Sequence, residues 1–445
     1  MPELPIDTPE VDIAVVGAGA AGLMAAIWAG RTRPGLRIAA LDGALKLGAK
    51  VLVAGGGRCN VTHDAVDPSA YAGSSRHAIR NVIRRFDVPR TVEFFRELGV
   101  ELKREETGKL FPTTDDARTV LEALLRAARD TGVQLIHPWR VESIAKSDDG
   151  FLLAPSPAHP PTPSPAHLIA RRIILATGGR SLPKSGSDGH GYDLVRALGH
   201  TVTRTWPALV PLTLPKDHWL CALSGLSAPA TLELRSPTGK RLVSFTDSTL
   251  CTHFGLSGPG VLDISRYYTD ATASRSSTPS RGTGVPPVPT PPTPLLLINW
   301  LPSESADSLD AALAALKNTA LLRFLSDRLP DRLARALCGS AGVDPSTPGH
   351  QLTRERRRAL ARAVCETPLP VTGDRGWNYA EVTAGGVPLA ELHLDTMESR
   401  LCPGLHLCGE ICDVDGRIGG YNFQWAWASG FVAGIAAATP VTSRP

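Results

Sequence analysis

The sequence has little that would mark a membrane, secreted or polyanion-binding protein. No apolar run in its 445 residues reaches the roughly 18 that a spanning helix needs. No basic, apolar, small-residue signal opens the chain, so a soluble, cytoplasmic protein is expected. Eight cysteines are scattered over this length, which does not suggest a disulfide framework. A net charge of +4 is small for such a chain and implies no polyanion partner. What is present is ordinary apolar content, 42%, enough for a large core. The length implies two or three domains.

Val11 to Asp42 organises the rest. The run Ile13 to Val16 suits a buried parallel strand. Gly17, Gly19 and Gly22 then form G-x-G-x-x-G, followed by an apolar helical stretch, Leu23 to Ala29. A second apolar run, Leu36 to Leu41, ends on Asp42, about twenty residues beyond the last glycine. Gly17 allows the tight turn, Gly19 lets a pyrophosphate approach the backbone, and Gly22 lets the helix pack on the strand. Free N–H groups at the helix start, those of Ala20 and Ala21 among them, and the helix dipole hold the phosphates. Asp42 accepts from a ribose diol. The combination predicts a dinucleotide-binding unit.

The first ten residues read as a frayed leader. Lys46 to Asn60, KLGAKVLVAGGGRCN, reads as a loop with uncovered amides, with Gly57, Arg58 and Asn60 facing a ligand. Helical spacing follows over 76–99 and 117–129, the latter begun by Asp115, with short strands at 133–136, 141–144 and 151–153. Ile173 to Ala176 is a buried strand ending in Thr177, Gly178 and Gly179. Ligands bind beyond such strand ends, which makes Thr177 and Gly178 a second candidate contact. Pro155 to Ala166 reads as an expanded hairpin tip or a disordered loop.

From Trp206 short β-rich runs and turns suggest an antiparallel insertion. Thr272 to Pro294 is a low-complexity segment expected to be disordered. Residues 304–366 are helical, with Ser308 as a cap for Leu309 to Leu316. Arg354, Arg356, Arg357, Arg358 and Arg362 crowd one helix; a solvated face is preferred over nucleic-acid binding. Later, DVDGRIGGYNFQ at 413–424 sets a Gly-Gly pair before an apolar helix and again offers free amides.

These blocks together resemble a family. GAGAAG at 17–22, ATGG at 176–179 and CGEICDVDGRIGGYNFQWA at 408–426 frame the chain, with GGGRCN at 55–60, THFGLSGP at 252–259 and TAGGV at 383–387 between them. The chain resembles, over nearly its whole length, the bacterial NAD(P)/FAD-dependent oxidoreductases, also labelled aminoacetone oxidase family FAD-binding enzymes. These are distant relatives of the fumarate reductase flavoprotein subunit. Asp42 stands where that family more often has Glu.

The resemblance implies an α/β fold: a Rossmann-like FAD-binding domain, discontinuous in sequence, with an inserted β-rich plus helical domain. The expected division is 1–205 and 372–445 for the FAD domain, 206–303 for the β-rich insertion and 304–371 for its helical part. It implies FAD pyrophosphate at Gly17, Gly19 and Gly22, and adenosine ribose at Asp42. Gly57, Arg58 and Asn60 line the ribityl or flavin side, and Thr177 and Gly178 close over the adenosine or ribityl portion. Gly409 and Glu410 approach the ribityl chain. Gly420, Tyr421 and Asn422 open a helix aimed at the flavin pyrimidine edge, where negative charge develops on reduction.

Flavin would carry the redox chemistry. GSDGHG at 186–191 lacks the strand, turn and following acid of a second fingerprint, so NAD(P)H would bind only transiently, and oxygen could equally reoxidise the flavin. His253, Tyr421 and Arg417 are the proton-transfer candidates. Cys59 reads as a packing residue, and Cys402, Cys408 and Cys412 have no metal-site spacing. The expected activity is FAD-dependent oxidation or reduction of a small molecule. The rivals are a flavin-dependent tRNA-modifying enzyme and a flavin-binding protein without turnover.

Overall fold

The computed structural model describes residues 8–157, 165–273 and 294–440. The chain divides into two compact units, residues 1–206 with 381–445 and residues 207–380.

In the first unit, Glu10–Val16 (β1) leads into helix Ala20–Thr32 (α1) and then strand Ile38–Leu41 (β2). Helix Ala117–Asp130 (α2) precedes strand Val133–Ile136 (β3). Leu168–Leu175 (β4), Leu405–Leu407 (β5) and helix Tyr421–Ala438 (α3) complete the frame. The parallel order is β5-β4-β1-β2-β3. Val16 lies opposite both Leu41 and Leu175, Leu41 opposite Ile136, and Leu175 opposite Leu407. All five strands therefore finish along one edge, the edge where such sheets bind ligands. Continuous apolar runs such as Ile38–Leu41 are buried throughout, as strands covered on both faces require. α3, apolar around its circumference, lies against α1.

Several expectations shift here. Glu10 is not part of a frayed leader: it pairs with Ile169 at the start of β1. Asp116 rather than Asp115 caps α2, accepting from the Arg118 amide at 2.9 Å, while Asp115 sits at φ 53° and pairs with Lys103. The expected loop over 46–60 winds as Ala49–Gly57, with a break at Ala54 and left-handed backbone at Gly55 and Gly56. The low-complexity stretch 272–294 and the tip at 155–166 lie outside the described residues from 274 to 293 and from 158 to 164.

The second unit is a seven-stranded antiparallel sheet with helices. Its long hairpin, Ser227–Arg235 and Arg241–Thr252, is flanked by Leu295–Asn299 on one side and Gly255–Ser257 on the other. Helix Pro259–Ala273 covers the hairpin. The β-rich and helical stretches share one apolar core, in which Leu232, Ile298, Leu325 and Leu360 all take part. Residues 372–380, expected with the FAD domain, fall in this unit because Gly373–Asp374 pairs with Leu212–Thr213. Ser305, not Ser308, caps helix Ala306–Ala314, and Ser308 closes the reciprocal half of a capping box. Among the described residues no helix is long and apolar enough to cross a membrane.

Candidate functional site

The glycine loop after β1 turns on backbone contacts. Gly17, at φ +98°, donates to Leu41 O at 2.7 Å, and a Cβ there would sit 2.5 Å from Ala176 O. A Cβ on Gly22 would meet Gly17 O at 1.8 Å, so the helix presses on the turn. Gly19 differs: a Cβ there meets nothing within 4 Å. It is also the N-cap of α1, with no side chain capping the first turn and no acid in it. The amides of Ala20 and Ala21 begin that turn, a ready place for phosphate.

Asp42 closes the loop. Its Oδ2 accepts from the Ala18 amide and its Oδ1 from the Ala44 amide, each at 2.8 Å. Each oxygen keeps a lone pair for a ribose hydroxyl.

Beyond β4, the Ala176–Ser181 turn meets β5's loop. Glu410 accepts from Lys50 Nζ at 2.6 Å, from Ser181 Oγ at 2.8 Å and from the Thr383 amide at 2.9 Å. Lys50 Nζ also donates to Ser181 Oγ at 2.7 Å. Thr383 Oγ1 accepts from the Arg180 and Ser181 amides. Glu410 thus binds four chain segments together instead of standing free. Lys50 and Ser181 carry no signal in the sequence, and Thr383 stands there only as the first residue of TAGGV; Lys50 lies 360 positions from Glu410, and no local pattern couples them. Gly409 lies where a Cβ would come 2.7 Å from Ala21 Cβ, which brings this loop onto the start of α1.

At the start of α3, Gly420 is an N-cap at φ 95°, again with no side-chain cap. A Cβ on Gly420 would strike the Thr62 backbone at 2.5 Å. Tyr421 stacks on His63, centroids 5.0 Å apart, and stands edge-on to Tyr71 at 6.0 Å. The Tyr71 hydroxyl donates to Tyr421 O at 2.9 Å, and burial, then Tyr421, pushes its phenol well up. Arg417 enters through its backbone, its amide donating to Ala70 O at 3.0 Å.

Two of the expected ligand groups, Arg58 and Asn422, have partners within the protein. Arg58 donates to Glu105 at 2.6 Å and lies 4.0 Å over the Phe111 ring; both belong to the hairpin of strands Leu102–Arg104 and Lys109–Pro112, toward which the left-handed glycines turn the chain. Asn422 uses both amide atoms on Gly416, accepting at 2.8 Å and donating at 3.0 Å. His253 belongs to the other unit, exposed in the turn before Gly255–Ser257, its ring edge-on to Phe254. Burial lifts the Cys59 thiol to about 12, and Cys408 and Cys412 are pushed up by burial too, so none is a thiolate nucleophile at neutral pH. Among the described residues no cluster of His, Cys, Asp or Glu is arranged to hold a metal.

Three buried oxygens in these loops have no hydrogen-bond partner among the described residues: Asn60 Oδ1, Thr177 Oγ1 and Ser187 Oγ. Unmade bonds of this kind are costly and point to a polar ligand. Ser187 closes on Gly178, where a Cβ would meet its Oγ at 2.8 Å. With the open space at Gly19 and two uncapped helix starts, these residues fit a flavin dinucleotide. The pyrophosphate would lie at Gly17, Gly19, Ala20, Ala21 and Gly22, the ribose at Asp42. Asn60 and Thr177 would supply polar contacts, and the amides at Gly420 and Tyr421 the flavin end.

Comparison with known proteins identifies the family. Residues 11–436 match the HI0933-like protein Rossmann domain. The chain is 34% identical to a 3-dehydro-bile acid delta(4,6)-reductase of Clostridium scindens, over 96% of this chain and 98% of that one. It is 32% identical to the ribosomal RNA dihydrouridine synthase of Escherichia coli, over 94% and 96%. Among solved structures, the 3-ketosteroid delta1-dehydrogenase of Sterolibacterium denitrificans shares the fold, with TM-score 0.50 at 13% identity over 97% of this chain and 100% of that one. The protein belongs to the HI0933-like Rossmann-domain family and is an FAD-dependent oxidoreductase.

Proposed function

We propose that this flavoenzyme reduces a carbon–carbon double bond conjugated to a carbonyl, with a nicotinamide nucleotide as the source of electrons. The observation that carries the reading is the pair of full-length relatives named for two such reductions. A 3-oxo group with double bonds at 4 and 6 is a conjugated dienone. The bond lost when uridine becomes dihydrouridine is conjugated to a ring carbonyl. When bound, FAD supplies the hydride chemistry. The chain's own part is to stabilise charge and deliver a proton. The uncapped start of α3 at Gly420 favours negative charge on its ligand. Tyr421, held between His63 and Tyr71, is the candidate donor of the proton that balances the hydride.

A second reading makes the acceptor a uracil within RNA. The exposed arginines of helix Arg354–Cys365 and the name of the Escherichia coli relative favour it, against the expectation that ranked a nucleic-acid partner low.

The test is an anaerobic titration of the purified holoenzyme with NADPH and NADH, followed by a 3-oxo-4,6-diene steroid acid or a uridine-containing RNA. The expected result is bleaching of the flavin by one nucleotide, its recolouring by one acceptor, and a product heavier by two hydrogens. A flavin that nucleotide bleaches and only oxygen recolours would sink the reading.

A further inference from the structure

We infer that the inserted unit carries an RNA-docking face along helix Arg354–Cys365, a deepening that rests on the RNA form of the reading above. Charge is unevenly divided between the units. Residues 207–380 hold 18 Lys and Arg against 14 Asp and Glu, and the remainder holds 29 against 29, so the whole net charge of +4 resides in the insertion. The weak global charge therefore hides a local one.

The helix concentrates it. Thr353 caps the helix, and Leu360, Ala361, Val364 and Cys365 are its buried side. Arg354, Arg358 and Arg362 recur at every fourth position, which sets them in one row on the helix surface. All three are exposed, and none has an ion pair or hydrogen bond among the described residues. Arg357 points elsewhere and is spent on Asp310, bidentate at 2.7 and 3.3 Å. Asp310, the acid that also feels Arg358 and Arg354, is thus already neutralised. Glu355 and Glu366 flank the row at its two ends.

Like charges four residues apart repel on a helix, which opposes folding. A polyanion laid along it would relieve the repulsion. Guanidinium forks match phosphate oxygens, and a straight row of them matches a linear phosphate chain. Beside the arginines the exposed side carries Ala359 but no aromatic or large aliphatic residue, which argues against a lipid surface, where such a helix would insert bulky apolar side chains. It also means the face grips the RNA backbone without reading bases.

The test is fluorescence anisotropy of a labelled single-stranded RNA with the oxidised holoenzyme over a range of salt. Wild-type affinity is expected to fall as salt rises. R354Q/R358Q/R362Q is expected to bind at least about tenfold more weakly at low salt, with a log–log salt slope smaller by about 2. Its flavin content and its rate of reduction by nicotinamide should match wild type, which shows the fold intact. The matched control is R76Q/R80Q/R84Q, three exposed arginines of the same spacing in the first unit, and it should stay within about twofold of wild type. Equal losses in both variants would reduce the effect to net charge and overturn the face. Unchanged binding in the first variant would do the same, and equal displacement by polyglutamate would assign the surface to an acidic protein. Because no turnover is involved, these outcomes stand apart from failure of the reductase reading.

Discussion

Gly19 and Gly22 lie three residues apart and do different work. A methyl at Gly22 has no room, since it would lie 1.8 Å from the Gly17 carbonyl, whereas one at Gly19 meets no protein atom within 4 Å. Gly22→Ala should therefore destabilise the protein itself, by about 1–3 kcal/mol from overpacking, and lose flavin as a consequence. Gly19→Ala should unfold at nearly the wild-type temperature without flavin but retain far less FAD, because its methyl occupies the path of the pyrophosphate. Thermal unfolding of the stripped proteins and the flavin-to-protein absorbance ratio separate the two. Full flavin retention in Gly19→Ala would count against the phosphate position. The G-x-G-x-x-G spacing alone revealed both residues, because each performs its task within one turn of its own chain.

The contacts between elements were less legible. The Lys50–Glu410 pair ties the helix at Ala49–Gly57 to the loop after β5, and both side chains are largely withdrawn from water. Lys50→Met should cost about 1–3 kcal/mol, since it leaves the Glu410 carboxylate with Ser181 and the Thr383 amide but no cation. Adding Glu410→Gln should recover part of that loss. A double-mutant cycle on thermal or denaturant unfolding measures the coupling, and simple additivity would show that the pair is not coupled. GGGRCN and the GE dipeptide were visible as motifs, but the protein partners of their side chains were not. Arg58 went to Glu105, Asn422 closed on Gly416, and Glu410 became a junction. A motif marks where the backbone is special; it does not say which distant side chain will meet it.

For the whole molecule, acid should act in two stages. His406 is buried in β5, its Nδ1 donating to Thr396 O at 3.0 Å, and burial holds its pKa below the ordinary value. The unfolded chain takes up that proton from about pH 6.5 downward while the fold resists it, so stability begins to fall there. The second stage belongs to carboxyls. A hydrogen bond from Arg357 holds Asp310 below its usual value; at Asp12 burial works upward, and the Arg37 amide and guanidinium outweigh it. Their stabilisation is present above about pH 4 and is lost as the pH falls through their lowered folded values. Unfolding temperature measured from pH 8 to pH 3 should decline gently below about 6.5 and steeply below about 4. A flat profile down to pH 4 would contradict the placement of His406.

The sequence by itself determined the local geometry of the nucleotide unit. Strand, glycine turn, helix, second strand and acid follow one another within about thirty residues, and their spacing leaves few alternatives. It also showed the change of character near Trp206, but it set the return at 372, whereas the second unit runs to Ala380. Only the tertiary structure decided which carboxylates, amides and hydroxyls remain available. It left Asn60, Thr177 and Ser187 unsatisfied and spent Arg58 and Asn422 on the protein. It also paired Arg357 with Asp310 and left Arg354, Arg358 and Arg362 without a partner among the described residues. Hydrogen-bond satisfaction depends on neighbours brought together across hundreds of residues, and pairing at that distance leaves no trace in local periodicity.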